Sequence, residues 1–409
     1  LFSTIINSKP TQRAYVPKEI EPGGLGSNGQ HVSPIGQALH SGYHKVTNSV
    51  FEGTLKGTYR VPFLEGLQVA GSFSYDRWFS NDKNFSTPYK FYDYEKALDL
   101  YTPRKSGGGI NLYQGTAESE KITAMASLNY NARFAEVHNV SAVFVVEQSN
   151  YKESNLSAAR LNSITAIMDQ LQFGPDKDKT NGGAMREETR LGYVGRANYD
   201  YLGKYLFQFN FRYDGSYNFH PDRRWGFFPA VSAGWRMSEE SFIKQISAIH
   251  NLKLRASYGQ FGNDRIPPYQ YLQGYKFGSG AVIGSDYQLG VTDWVVANPR
   301  TTWETATNLD LGLDFSFLKG TISGELTYFY KKTKDILVTR EASVPSSFGG
   351  VLPSENLGKV DNKGIEAILR YTNKIGDVSF NVEGNLTWVK NKVIYIDGPE
   401  GRLPHQKAD

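Results

Sequence analysis

The 409-residue chain contains no cysteine, and this absence excludes several kinds of chemistry. Disulfide bonds, thiolate metal sites and a catalytic thiol all need a cysteine sulfur. The sequence also has no apolar run that approaches the length of a membrane-spanning helix. Its charge is nearly balanced, with 45 Lys and Arg against 41 Asp and Glu, and no basic block stands out. We therefore expect no nucleic-acid partner.

Motifs typical of enzyme active sites are missing too. The sequence has no nucleophile elbow, no HExxH pair and no P-loop. Gly24, Gly26 and Gly29 have the dinucleotide-binding spacing, but no strand precedes them and no amphipathic helix follows, so a flexible loop is the favoured interpretation. His40 and His44 could share a metal only on a helix, which Gly42 argues against. We expect no enzymatic activity, no cofactor and no metal site.

The most conspicuous feature present is an alternation of apolar and polar residues. Aromatic residues make up 14% of the chain, although its mean hydropathy is −0.46. Every second residue from Tyr205 to Tyr213 is aromatic, which is typical of a strand with one apolar and one polar face. Twelve segments show this alternation, at 49–61, 67–79, 121–134, 138–148, 189–201, 205–214, 226–237, 252–261, 307–318, 321–333, 364–372 and 378–391.

The links between these segments alternate between tight and long. Tight links lie at 62–66, 135–137, 202–204, 319–320 and 373–377, and long ones at 80–120, 149–188, 215–225, 262–302 and 334–363. Such alternation is typical of an antiparallel up-and-down sheet. Strands of roughly ten residues can span the ~25 Å apolar band of an outer-membrane barrel, with short turns on the periplasmic side and long loops outside.

Two helices are predicted within the links. Residues 238–251 predict a short helix capped by Ser238, with Phe242, Ile243 and Ile246 on one side. Residues 157–172 have apolar residues at helical spacing, which predicts a helix in the loop 149–188 whose apolar stripe packs on loop neighbours or on a capping partner.

A soluble β-sandwich or propeller would show the same period of two, so the alternation alone decides nothing. Three further features favour a membrane barrel: loops of about 40 residues, aromatic residues near strand ends, and charge on the polar face. The aromatic residues are Tyr199, Tyr201, Tyr205, Tyr213, Trp235, Tyr328, Tyr330 and Trp388. The charged residues, which suit a wet lumen, are Arg133, Arg196, Arg212, Asp310, Asp314, Glu325 and Glu383.

Five stretches, taken in order, resemble the SusC/RagA-type TonB-dependent outer-membrane transporters. They are "RANYDYLGKYLFQFNFRYDGSYNF", "RRWGFFPAVSAGWRMSEESFIK", "LKLRASYGQFGN", "TTWETATNLDLGLDF" and "NLGKVDNKGIE". The resemblance covers roughly residues 45 to 395. One departure is Tyr217 after "DGS", where this family more usually has another small polar residue.

The resemblance implies a Gram-negative outer-membrane barrel of twenty-two strands around an N-terminal plug, coupled to TonB and capped by a SusD-type lipoprotein that helps to capture oligosaccharides or peptides. On this interpretation residues 49–391 supply about twelve barrel strands. Residues 1–48 are a loop or a remnant of the preceding barrel region, 392–409 begin a further loop, and the plug is absent from this slice. The alternative is an envelope β-protein that binds ligands on outer loops without transport.

Several loop motifs are expected to be structural. "DGSYNF" (214–219) and "GQFGND" (259–264) are interpreted as strand ends turning into loops, "NLGKVDNKG" (356–364) as a loop return, and Trp303 as a membrane-interface residue. Aromatic platforms for a carbohydrate ligand have eight candidates, each of which is better explained singly as loop packing or anchoring. They are Trp78, Tyr89, Tyr92, Tyr101, Tyr269, Tyr271, Tyr275 and Trp294. The ligand-binding residues are not assigned.

Overall fold

The computed structural model describes residues 5–6, 13–21, 24–27, 32–340 and 352–397. The chain is almost entirely β-structure. Its strands are β1 (Gly42–Arg60), β2 (Leu67–Ser86), β3 (Lys90–Glu95), β4 (Leu100–Lys105), β5 (Ile110–Phe134), β6 (His138–Ser163), β7 (Lys179–Tyr201), β8 (Tyr205–Ser216), β9 (Trp225–Arg236), β10 (Ile249–Asn263), β11 (Gly274–Ile283), β12 (Asp286–Val295), β13 (Glu304–Phe317), β14 (Ile322–Thr339), β15 (Ser354–Ile375) and β16 (Val378–Tyr395). The α-helices with both ends inside the described ranges are α1 (Pro34–Leu39) and α2 (Ser241–Lys244), and single 3-10 turns lie at Leu171–Phe173, Pro221–Arg223, Met237–Glu239 and Leu318–Gly320. Among the described helices, none has the length and apolar character needed to cross a membrane.

Twelve strands form one sheet in the order β1-β2-β5-β6-β7-β8-β9-β10-β13-β14-β15-β16. These strands are the twelve predicted segments in the predicted order, and the pairs from β7 to β16 are antiparallel. The prediction of an all-β, antiparallel up-and-down fold is confirmed. The hairpins β3–β4 and β11–β12 form separate two-stranded sheets inside links that we had predicted as loops.

The chain divides into two compact units. Unit 1 comprises Leu1–Gly53, Ser74–Ile122 and Tyr151–Glu187, and unit 2 comprises Thr54–Phe73, Thr123–Asn150 and Glu188–Asp409. The boundary between the units falls inside five long strands, which are β1, β2, β5, β6 and β7. Unit 2 contains the best-defined buried cluster, formed by Phe219, Phe228 and Trp303.

Several strands are much longer than the alternating segments that predict them. β6 has 26 residues and β5 has 25, and the extra residues lie at the ends that join the long links. Alternation arises only where one face meets an apolar medium and the other meets water. The extensions pair through their backbones but lie outside the alternating segments, so the sequence does not predict them.

Two secondary-structure predictions in the long links are wrong. Residues 157–163 complete β6 instead of beginning a helix, and only Leu171–Phe173 form a single 3-10 turn. Leu161 donates its backbone N–H to the carbonyl oxygen of Asp178 across the hairpin, at 3.1 Å. Residues 356–364, predicted as a loop return, lie inside β15. Non-local backbone pairing overrides local periodicity in both segments.

The links at the opposite ends of the strands are tight, as predicted. β15 and β16 are joined by Gly376 and Asp377 alone, and Gly376 has a φ of +59°, which glycine adopts without steric cost. The link between β9 and β10 contains the short helix that we predicted there, reduced to α2. Ser238 does not cap it, because the N-cap is Glu240 and the Ser238 hydroxyl instead faces Asn251 Oδ1 at 3.5 Å.

Candidate functional site

A continuous row of mostly apolar residues crosses eight strands of unit 2 in register. Its members, from β7 to β16, are Tyr199, Phe207, Ala233, Ala256, Leu311, Tyr328, Ile365 and Trp388. We call the surface that contains this row the apolar face. Phe207 is 53% exposed and Trp388 55% exposed. All eight residues of the row are exposed, so none of them lies in a protein interior.

Exposure alternates in the opposite sense to that of a soluble protein. Along β8, Tyr205, Phe207 and Phe209 are exposed, whereas the polar Gln208 and Asn210, which follow Phe207 and Phe209, are partly buried. A soluble sheet would bury the apolar residues and expose the polar ones. The apolar face therefore needs an apolar medium, and we call the other surface, which carries the polar and charged residues, the polar face.

Aromatic rings gather at two levels of the apolar face. Near the tight turns, Tyr199 stacks on Phe207, and Tyr201 stacks on Tyr205 at 6.3 Å. Near the long links, Tyr213 stacks on Trp225 with ring centroids 4.7 Å apart. Tyr205 and Tyr213 are separated by about 27 Å along β8 at ~3.4 Å per residue, or roughly 20 Å along the membrane normal for a strand tilted by about 40°. Two girdles at this separation match the interfaces of a bilayer.

The polar face of β10, β13 and β14 carries a connected network of ion pairs and hydrogen bonds. Arg255 Nε donates to Asp314 Oδ1 at 2.9 Å, and its Nη2 donates to Thr327 Oγ1 at 2.6 Å. Ser257 donates to Asp310 Oδ2 at 3.0 Å on the same face. A concavity of about 740 Å³ opens here, lined in part by Arg133, Asn198, Gln208, Lys253, Arg255 and Asp310. Its lining combines these charged and polar side chains with apolar residues such as Val140 and Leu206.

The motifs that were interpreted separately in the sequence meet in one buried cluster at the long-link end. Trp303 packs on Phe219 and Phe228, with ring centroids 5.3 and 5.2 Å away. Its Nε1 donates to the carbonyl oxygen of Arg224 at 3.0 Å. Trp303 is only 9% exposed, so its predicted place at the membrane interface is wrong. The single sequence could not show this, because interface and core tryptophans look alike.

Asp264 ties the neighbouring strand ends to this cluster. Its Oδ2 accepts hydrogen bonds from Ser216 Oγ at 2.7 Å and Arg190 Nε at 3.1 Å. Its carbonyl oxygen accepts one from the amide of Asn218 at 2.7 Å. "DGSYNF" and "GQFGND" are thus strand ends that turn into loops, as predicted. Their polar residues fix the loops of unit 2 to its sheet.

A ladder of rings lies on the loops beside this cluster. Tyr217 contacts Tyr269 at 5.8 Å, Tyr269 contacts Tyr271 at 6.3 Å, and Tyr271 contacts His220 at 5.8 Å between ring centroids. We call these four residues the aromatic ladder. Tyr269 and Tyr271 were among the predicted platform residues, whereas Tyr217 and His220 were missed because nothing in the sequence links 217–220 to 269–271. Tyr269 is exposed and the other three rings are partly buried, and such rings can stack on the apolar face of a sugar or on a peptide side chain.

The other predicted platform residues do not join the ladder. In unit 1, Tyr89 donates to the carbonyl oxygen of Ser33 at 3.2 Å and lies against Gly36, while Tyr92 is buried and donates to Glu21. Lys90 and Tyr92 together hold the pKa of Glu21 below its ordinary value. These contacts are loop packing. The remaining candidates are Trp78 in β2, Tyr101 stacked near Tyr94, Tyr275 in the exposed hairpin β11–β12, and Trp294, whose side chain lies outside the described residues.

No metal centre is formed by the side chains in the described ranges. Within them, no group of three His, Cys, Asp or Glu residues is placed to hold an ion. The described part of unit 2 presents the apolar face, the polar face with its concavity, and the aromatic ladder.

These features define a membrane-embedded antiparallel β-protein with a polar inner face, and the comparisons give its family. The family described as "TonB dependent receptor-like, beta-barrel" matches residues 14–408. The chain belongs to this family of outer-membrane β-barrel proteins of Gram-negative bacteria. The expected fold class, family and location are confirmed.

Two curated relatives illustrate the similarity. TonB-dependent receptor P26 of Formosa agariphila is 30% identical over 368 residues, which are 86% of this chain and 34% of that protein. TonB-dependent receptor SusC of Bacteroides thetaiotaomicron is 33% identical over 217 residues, covering 51% of this chain and 21% of SusC. The chain spans about a third of the length of the curated relatives that match it over most of its residues.

A solved structure has the same fold. The RagAB peptide importer in the closed-closed state superposes with a TM-score of 0.73 over 88% of this chain and 38% of that chain. The sequences are 17% identical, so this likeness concerns the fold alone.

Proposed function

We propose that the chain is the central barrel region of a TonB-dependent outer-membrane transporter of the SusC/RagA type that imports oligosaccharides or peptides. The observation that carries the proposal is the exposed apolar row of the sheet, whose strands carry polar and charged residues at the alternate positions. In an outer-membrane protein this places lipid outside and a wet lumen inside. A polar lumen is what passage of a hydrophilic solute requires.

The rest of the machinery is proposed from the family. A plug from another part of the receptor would occupy the lumen and contact TonB, and a SusD-type lipoprotein would cover the long loops. The RagAB structure is described as that of a peptide importer, and SusC is named as a TonB-dependent receptor. These names support both the class of transport and a two-protein assembly. The residue range 49–391 as barrel, with flanking segments that belong to neighbouring barrel regions, stays a proposal.

The aromatic ladder is the proposed contact for incoming substrate in unit 2. Tyr269 is 38% exposed and lies on a loop at the long-link end, the side expected to face outwards. Its ring neighbours fix its orientation, which lowers the entropy cost of stacking on a ligand. A sugar ring or an aromatic peptide side chain fits this chemistry equally well.

The test is uptake by cells that lack the full-length receptor gene. Deletion should abolish accumulation of at least one member of a panel of labelled oligosaccharides and peptides, and the wild-type gene should restore it. The double variant Tyr269→Ala with Tyr271→Ala should raise the half-saturating concentration for that solute severalfold, while Tyr275→Ala, an exposed aromatic outside the ladder, should not. Unchanged uptake of the whole panel together with lost surface binding would instead indicate a ligand-binding envelope protein.

A further inference from the structure

The link between β9 and β10 differs from the other tight turns. It spans residues 237–248 and folds into a 3-10 turn followed by α2. Phe242 is 58% exposed and Ile246 45% exposed on this short segment. A polar turn would satisfy the geometry of an up-and-down sheet, so two exposed large apolar residues here need another explanation.

Glu240 fixes the link to the apolar face of the sheet. Its Oε1 accepts hydrogen bonds from the Tyr205 hydroxyl at 2.7 Å and from Trp235 Nε1 at 3.2 Å. Its Oε2 accepts one from Lys204 Nζ at 3.0 Å. Tyr205 and Trp235 are cross-strand partners in the girdle near the tight turns. The carboxylate is therefore surrounded by donors, and its own side chain is only 13% exposed.

This anchoring decides the side of the sheet on which the link lies. Both girdle donors belong to the apolar face, so the link turns towards the surface that meets lipid and away from the polar face. Phe242 and Ile246 follow Glu240 by two and six residues and are both exposed. Lys244 pairs with Glu239 at 2.9 Å, so the segment also carries charge suited to a headgroup layer.

We propose that residues 237–248 form a membrane-interface anchor in which Phe242 and Ile246 insert at the boundary between headgroups and acyl chains of the leaflet beside the tight turns, with Glu240 setting the orientation. The occupant is bilayer phospholipid, because the segment is continuous with a surface that already meets lipid. The inference rests on the membrane placement under "Proposed function". It assigns a binding role to a turn that transport itself does not require.

The experiment places nitroxide labels on a cysteine-free version of the full-length receptor in nanodiscs of phosphatidylethanolamine and phosphatidylglycerol. Labels are attached at Phe242→Cys, at Asp377→Cys in the polar turn between β15 and β16, and at Leu311→Cys on the apolar face. At each position we take the ratio of the nitroxide's collision rate with oxygen, which partitions into lipid, to its collision rate with a water-soluble nickel chelate. The ratio at position 242 should exceed that at 377 severalfold and lie below that at 311.

Each outcome decides one point. A water-like ratio at 242 with a lipid-like ratio at 311 would overturn the anchor and leave the membrane placement intact. A water-like ratio at 311 would contradict the membrane placement itself. Protection of 242 from both reagents with an immobilised spectrum would show a protein contact, such as another part of the receptor, and would also overturn the lipid anchor. Adding Glu240→Ala should shift the ratio at 242 towards that at 377, and an unchanged ratio would remove Glu240 from the proposal.

Discussion

The indole nitrogen of Trp303 donates to the carbonyl oxygen of Arg224, 79 positions earlier in the chain, over 3.0 Å. This one bond joins the start of β13 to the loop before β9. The ring lies between Phe219 and Phe228, so the same side chain supplies both the apolar packing and the directional contact. The loop end of unit 2 is organised around it.

Replacing Trp303 by Ala should destabilise the receptor by about 3–5 kcal/mol, because a buried ring is lost and a cavity remains. Trp303→Phe keeps most of the packing and loses only the Nε1 hydrogen bond, so it should cost about 1 kcal/mol. Urea unfolding in lipid vesicles, followed by tryptophan fluorescence, measures both. Equal losses for the two variants would contradict a packing role for the ring.

Arg255 and Asp314 should be energetically coupled across the polar face. Arg255→Ala leaves the Asp314 carboxylate without its 2.9 Å partner, and we expect a loss of about 1–3 kcal/mol. Asp314→Asn in the same background should recover part of that loss, with a coupling energy of at least about 0.5 kcal/mol in a double-mutant cycle. Strictly additive losses would show that the contact contributes nothing.

A charge should be tolerated on one face of β8 and not on the other. Phe209 lies four residues from each girdle tyrosine, so Phe209→Arg places a guanidinium near the bilayer midplane at a cost of about 2–4 kcal/mol. Gln208→Arg, one residue away on the polar face, should cost less than about 1 kcal/mol. Folding yield and urea midpoints in vesicles check the pair. A larger cost for Gln208→Arg than for Phe209→Arg would contradict the assignment of the apolar face to lipid.

Docking of the β9–β10 link should weaken in acid. The Tyr205 hydroxyl, followed by Lys204 and Trp235, lowers the pKa of Glu240 from 4.5 to about 2. Because the pKa is depressed on docking, the stabilisation is fully present above pH 4.5 and is lost progressively as the pH falls towards about 2. The mobility of a nitroxide at position 242 should therefore rise over this window.

Glu240→Gln is the matched control for that titration. It removes the ionisable group but keeps the size of the side chain, so the label should already be more mobile at neutral pH and should respond less to acid. Identical mobility of the two proteins at pH 7 would show that the carboxylate does not hold the link.

The sequence predicts the sheet well because its alternation reflects two different surroundings, an apolar medium on one face of the sheet and water on the other. All twelve alternating segments are strands, in order, and the tight links lie where expected. The secondary-structure predictions fail where strands extend beyond the alternating segments. Residues 157–163 pair with the neighbouring strand as part of β6, so the helical spacing of their apolar residues is a misleading signal.

The candidate sites were only partly predictable. Tyr269 and Tyr271 stood out as loop aromatics, but their stacking with Tyr217 and His220 depends on two loops about fifty residues apart in the chain. For the link after Met237 the sequence predicts only a short helix capped by Ser238. Only the fold shows that Glu240 faces Tyr205 and Trp235.

By itself the sequence determined the strands, their order and which side chains share a face, since period-two alternation is a local consequence of strand geometry and of the medium on each side. Tertiary structure alone decided that Trp303 is buried, that four rings form a ladder, and that Glu240 joins a turn to a girdle. Those contacts link residues far apart in the chain, and the type of a residue does not show which distant residue the folded chain brings next to it.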